Sequence, residues 1–307
     1  MTRWLFSLMI VALAVVPSRA ADPAPERERD VIYGRKFGTC LTFDVFNPKE
    51  KNGAGVIVAV SGGWFSSPEM MNGIASVYGS ELLKRGYTVF AVLHGSQPKY
   101  TVPECVADMQ RSVRFIRHNA KRFGIHPERI GVTGASAGCH LSLMLATTGK
   151  DADPSAKDPI DQESSRVQAA AGFFPPTDFF NYGSQGEDGD AFLKSRGFAM
   201  PFDFRDMDQK KGSSPVSPEK RKEIMKQISP IDHISDKTAP CLIIHGDKDT
   251  LVPIQQAQTF IDKMKEHKLP AELVVHAGGA HGWQGLDKDV VKIADWFDTY
   301  LAKKKAE

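Results

Sequence analysis

Three short stretches of this chain carry side chains that could do chemistry together. The first is "RIGVTGASAGCH", where Ser136 stands with Gly134 and Ala135 before it and Ala137 and Gly138 after it. Side chains this small on both sides let backbone turn sharply or pack closely. The pattern is G-x-S-x-G between a predicted strand and a predicted helix, a context in which the turn lifts the serine hydroxyl above a sheet. The same turn presents the Ala137 N–H, at the positive end of a helix, to a developing oxyanion. A serine hydroxyl is a weak nucleophile until a base takes its proton, so a histidine and an orienting acid are needed. "HGDKDTLVP" leaves a buried strand and offers Asp247 and Asp249, and "GGAHGW" leaves the next strand and offers His281.

A second oxyanion donor is expected from the loop after an early strand. "SGGWF" (61–65) sits there, so Gly62, Gly63 and Trp64 are all candidates, with Trp64 also able to wall the site. His94, at a strand's C-terminal end, and Trp283, two residues past His281, are candidates for substrate contact. His140 reads as a core or edge histidine, and His245 as a brace for the acid turn. No histidine pair has the spacing of H-E-x-x-H, so no metal and no cofactor is called for.

The elements that must position these residues follow from hydrophobic pattern. "GVIVAVSGG", "YTVFAVLHG", "RIGVTG", "VQAAAGFF", "CLIIHGDKD" and "AELVVHAGG" read as buried strands. "LTFDVFNP" (41–48) alternates as a half-buried one does. Helical periodicity covers 69–85, 106–123, the stretch after Ser136 and 288–304, and Ser217-Pro218 opens another helix. The basic face of the 106–123 helix reads as solvated. Alternating strands and helices predict an α/β fold, a mostly parallel central sheet with helices on both faces. Residues 31–307 are taken as one domain, with 175–235 as a covering insertion and 21–30 as an N-terminal tail.

With 41% hydrophobic and 25% charged residues, the chain is an ordinary globular one. A net charge of +2 gives no field that would draw nucleic acid or a membrane surface. The apolar run 4–16 follows Arg3 and is too short to span a bilayer, which takes about 20 residues. Ser18 and Ala20 suit cleavage before Ala21, so residues 1–20 are expected to be an export signal. That predicts a periplasmic or secreted protein with no stable membrane anchor. Four cysteines allow three pairings, and spacing does not choose among them. Cys139 and Cys241 lie in apolar settings and read as buried small hydrophobes.

These residues together resemble the α/β-hydrolase superfamily, in particular its exported esterase/lipase branch near hormone-sensitive-lipase-like and feruloyl or acetyl-xylan esterases. The resemblance runs from about Val31 to the C-terminus through "VSGGW", "HPERIGVTGASAGCHLS", "APCLIIHGDKDTLVP" and "GGAHGW". It implies Ser136 as nucleophile, Asp249 rather than Asp247 as acid, and His281 as base, in that superfamily's chain order. It also implies hydrolysis of small-molecule or polysaccharide-linked esters. The family's oxyanion loop usually reads H-G-G-G, with a histidine that shapes the loop, whereas Ser61 or Val60 stands there here. Relatives often have Tyr-Arg where this chain has Leu93-His94-Gly95. Two rival readings stay open: peptide or amide hydrolysis on the same scaffold, and an inactive hydrolase fold used for binding.

Overall fold

The computed structural model describes residues 26–208 and 212–302. The expected export signal, residues 1–20, lies outside the described residues. An eight-stranded sheet runs in the order β1-β2-β4-β3-β5-β6-β9-β10. Its strands are β1 (Glu26–Lys36), β2 (Thr39–Asn47), β3 (Gly55–Ala59), β4 (Thr88–Val92), β5 (Ile130–Ala135), β6 (Ala169–Phe173), β9 (Cys241–Gly246) and β10 (Ala271–His276). A separate hairpin pairs β7 (Arg205–Asp208) with β8 (Gly212–Pro215). The β1–β2 and β2–β4 pairs are antiparallel and all others in the large sheet are parallel.

Helices cover both faces, because the central strands are apolar on both. In β3, Val56 and Val58 face one layer while Ile57 and Ala59 face the other. One layer holds α3 (Val102–His118), the short α4 (Ala120–Phe123), α5 (Ala137–Thr148) and α8 (Gln255–Glu266). The other holds α9 (Leu286–Tyr300) and a helical run in which α1 (Met71–Ile74) passes through a π-helical stretch (Ala75–Gly79) into α2 (Ser80–Lys84). α3 starts at a capping box between Thr101 and Glu104 and buries Val106, Met109, Val113 and Ile116. Its basic face is less solvated than its composition predicts. Arg111 pairs with Asp158 and Asp161, and the Arg117 guanidinium lies buried on the carbonyls of Ser164 and Arg166. The 150–165 loop is thereby tied to the helix.

The tail read at 21–30 needs correction, since β1 begins at Glu26 and pairs with β2 from Glu26↔Asn47 onward. "ERERD" carries no apolar alternation, so pattern could not reveal it. Arg27 bonds Asp44, a buried carboxylate on β2, and its guanidinium stacks over Phe46. Between β6 and β9, the expected insertion carries α6 (Gly189–Ser195), the hairpin and α7 (Pro218–Gln227). α7 starts at Ser217, whose side chain caps Lys220 N. Asp190 on α6 and Arg221 on α7 form a partly buried ion pair that holds the segment together. Phe179, Tyr182 and Phe202 are buried, and Phe179 and Phe202 pack on Trp64. Those insertion aromatics therefore serve packing, while Phe180 stays exposed. Among the described residues all four cysteines are free, with Cys40 exposed and the other three buried.

Candidate active site

The opening sequence pattern has a direct physical reading at the end of β5. Ser136 sits on a backbone with φ of 54° and ψ of −121°, a conformation that side-chain-bearing residues rarely adopt. Strain of this kind costs on the order of 1–3 kcal/mol and is held by surrounding structure. Here the Ser136 N–H donates to the Phe173 carbonyl, and the Ser136 carbonyl accepts from His140 N–H, inside the first turn of α5. The flanking glycines are needed for contact as well as for the turn. A Cβ on Gly134 would lie 2.5 Å from the Gly138 carbonyl carbon, and one on Gly138 would lie 2.6 Å from the Ala59 oxygen. The helix can start directly under the serine because both positions lack a side chain.

His281 reaches this hydroxyl from the loop after β10, with Nε2 2.9 Å from Ser136 Oγ. Its Nδ1 lies 2.7 Å from Asp249 Oδ2. The other Asp249 oxygen accepts from the N–H groups of Leu251 and Val252, both at 2.9 Å. Burial of Asp249 opposes its charge, but hydrogen bonds from His245, His281 and Val252 outweigh that and hold the carboxyl well below the usual range. His245 is fully buried; its Nε2–H donates to the Val252 carbonyl and lies 3.4 Å from Asp249 Oδ2. Asp247, the other acid in the turn, is exposed and instead accepts from Gly278 N–H at 2.7 Å, anchoring the loop that carries His281.

The early loop forms a two-residue turn. Gly62 and Phe65 exchange both backbone hydrogen bonds at 2.9 Å, and Gly63 and Trp64 between them have φ of 54° and 59°. Positive φ at both central positions is the type I′ geometry. This corrects one candidate: the Gly62 N–H is used inside the turn and is not free to donate. Among the described residues, no acceptor takes the N–H of Gly63 or Trp64. Ala137 opens α5, so its N–H lacks an intrahelical partner. The Trp64 side chain does not wall the site; it is buried, and its indole N–H donates to His140 Nδ1 at 3.1 Å.

Of the two expected substrate contacts, His94 needs correction. His94 is buried, with Nδ1 on the Gly95 carbonyl and Nε2 on Ser61 Oγ, so both ring nitrogens are occupied by protein. Trp283, partly exposed, stacks on His276 at 4.3 Å, donates to Asp289 and packs on Phe174, whose ring lies on His281. Phe174 is the residue the sequence reading missed. Its ring centroid lies 4.5 Å from that of His281, on a backbone with φ of 37°. The "FFPP" run at the end of β6 marked an irregular strand end and could have drawn notice. Phe198 of the insertion is another, its ring standing over Gly63.

A mostly parallel sheet, a serine on a sharp turn between β5 and α5, and an imidazole delivered from beyond β10 define an α/β-hydrolase fold. Residues 43–264 match the BD-FAE family, and the chain belongs to it. The probable carboxylic ester hydrolase LipM of Mycobacterium tuberculosis is 26% identical over 240 residues, 77% of this chain and 51% of the relative. The isoprenylcysteine alpha-carbonyl methylesterase ICME of Arabidopsis thaliana is 25% identical over 264 residues, 82% and 56%. The chain thus spans about half the length of these curated relatives. In structure it is similar to a truncated carbohydrate esterase from gut microbiota, with a TM-score of 0.73, 24% identity, and 92% and 99% of the two chains covered. It is also similar to a thermophilic esterase of Thermogutta terrifontis, with a TM-score of 0.66, 24% identity, and 93% and 96% covered.

Proposed function

We propose that this chain is a serine carboxylic-ester hydrolase working through an acyl-enzyme. The observation that carries the reading is the continuous line Ser136 Oγ, His281 Nε2, His281 Nδ1, Asp249 Oδ2, with spacings of 2.9 and 2.7 Å. His281 takes the Ser136 proton as the oxygen attacks the ester carbonyl. The oxyanion forms against the N–H of Ala137 and that of Gly63 or Trp64. His281 returns the proton to the departing alcohol, and water then releases the acid by the same route. Asp249, ionised, keeps the Nδ1–H tautomer and stabilises the imidazolium.

The relatives are an ester hydrolase and a methylesterase, and a structural neighbour is a carbohydrate esterase, which favours short-acyl or carbohydrate-linked esters as substrates. Export of the chain belongs to the same proposal and rests on the 4–16 apolar run; a mature N-terminus at Ala21 would support it. The deciding test is hydrolysis of p-nitrophenyl esters, acetyl to octanoyl, by wild type and Ser136→Ala. Turnover that falls on the order of 10⁶-fold in the variant is the expected result. Cleavage of anilides in preference to esters, or activity retained in Ser136→Ala, would overturn it.

A further inference from the structure

The 62–65 turn is gripped from two sides by side chains that share one arrangement. At the end of β4, His94 Nδ1 lies 2.8 Å from the Gly95 carbonyl oxygen and Nε2 lies 2.9 Å from Ser61 Oγ. A carbonyl only accepts, so Nδ1 carries the proton and the bare Nε2 accepts from the Ser61 hydroxyl. In the first turn of α5, His140 Nε2 lies 2.7 Å from the Ile228 carbonyl oxygen and Nδ1 lies 3.1 Å from Trp64 Nε1. An indole N–H only donates, so Nδ1 is bare here and Nε2 carries the proton. Each ring therefore donates to a backbone carbonyl and accepts from the turn (Trp64) or from the residue leading into it (Ser61). Both rings are buried, and burial pushes each down to about 4.

We infer that His94 and His140 are positioning residues for ester hydrolysis, holding Ser61 and Trp64 so that the free amides of the turn stay aimed beside Ala137. The inference rests on the ester-hydrolase reading above. Two backbone bonds join the turn's ends, Ser66 Oγ donates to the Val60 carbonyl just outside them and Gln97 donates to the Gly63 carbonyl, while its central residues sit at positive φ. Side-chain anchors on both flanks remove the freedom to rock. His140 also shares α5 with Ala137, so the Trp64–His140 bond ties the two donor elements to each other. The superfamily's loop usually carries its own histidine. In this chain Ser61 stands at that place, and the imidazole arrives from the end of β4.

The test separates anchoring from bulk packing. Trp64→Phe keeps an aromatic ring and removes the donor, and Ser61→Ala removes only a hydroxyl. Each should lower kcat on p-nitrophenyl acetate about 10- to 100-fold, the scale of a small misplacement, with KM nearly unchanged. His140→Gln can still accept from Trp64 and donate to Ile228, so it should retain more kcat than His140→Leu. Unchanged kcat in Trp64→Phe and Ser61→Ala, with Ser136→Ala inactive, would overturn this inference and leave ester hydrolysis standing. Equal losses in the Gln and Leu variants that track a lowered Tm would also overturn it. Should Trp64→Phe not fold, Ser61→Ala decides alone. A folded wild type that cleaves no ester would overturn both readings.

Discussion

Phe174 presses its ring on His281, the centroids 4.5 Å apart, from a backbone held at a φ of 37°. The strained conformation is fixed by the bond from Phe174 N–H to the Ile244 carbonyl. On the proposed mechanism, the ring backs an imidazole that moves a proton between two oxygens without losing Asp249. Phe174→Ala is expected to lower kcat about tenfold or more through a loosened His281, with less effect on KM. Steady-state kinetics of the variant on p-nitrophenyl acetate checks this, and an unchanged kcat would count against it.

Asp247 and Asp249 lie two residues apart but face different tasks. Asp249 is buried on His281, while Asp247 caps Gly278 in the open. Asp249→Asn should cost on the order of 10⁴-fold in kcat, since the amide no longer fixes the Nδ1–H tautomer. Asp247→Asn removes a charge but keeps an acceptor for Gly278, so its kcat should stay within about tenfold of wild type. Comparable losses in both variants would remove the distinction between the two acids, and a larger loss in Asp247→Asn would reverse it.

Ser136, His281 and the parallel sheet were legible because each depends on local pattern. A β-branched run closed by glycine, then a helix, can be read within a dozen residues. The choice between Asp247 and Asp249 was not local; the superfamily's motif favours Asp249, and only the folded chain brings that carboxylate 2.7 Å from His281. β1 escaped because its first five residues pair through Arg27 on Asp44 and backbone bonds, and the alternation that follows, buried Val31 and Tyr33 around an exposed Ile32, spans only three residues. His94 was misplaced for a related reason. A histidine at a strand's C-terminal end looks the same in sequence whether it faces substrate or folds under on Ser61. Phe174 and Phe198 act through contacts across the chain, which no spacing encodes.

Gly63 should be intolerant of any side chain. Its φ of 54° disfavours one, and an added Cβ would lie 2.4 Å from the Phe198 ring. Gly63→Ala must shift either the turn or the insertion above it. The expected result is a fall in kcat of about 10²-fold or more, the scale of one lost oxyanion donor. Pairing it with Phe198→Ala relieves the clash and should restore part of that loss. A double variant no better than the single would place the damage in the backbone conformation alone.

Acid should weaken the fold before it titrates the Asp249 carboxylate. His94 and His140 are buried and neutral, pushed down to about 4, against about 6.5 for an unfolded histidine. Below the unfolded value the unfolded chain binds protons that the folded chain refuses. The stability from each ring is therefore complete above about pH 6.5 and is lost as pH falls toward 4, by about 3 kcal/mol per ring. Asp249, held low, stays charged across that window. Burial raises Asp108, so its contribution runs the other way and offsets part of the slope. Guanidinium unfolding midpoints at pH 7, 5.5 and 4.5 should fall steadily, and more shallowly in His140→Gln, which lacks one of the two rings. Identical slopes in the variant and the wild type would mean that His140 takes up its proton in the folded protein as easily as in the unfolded chain.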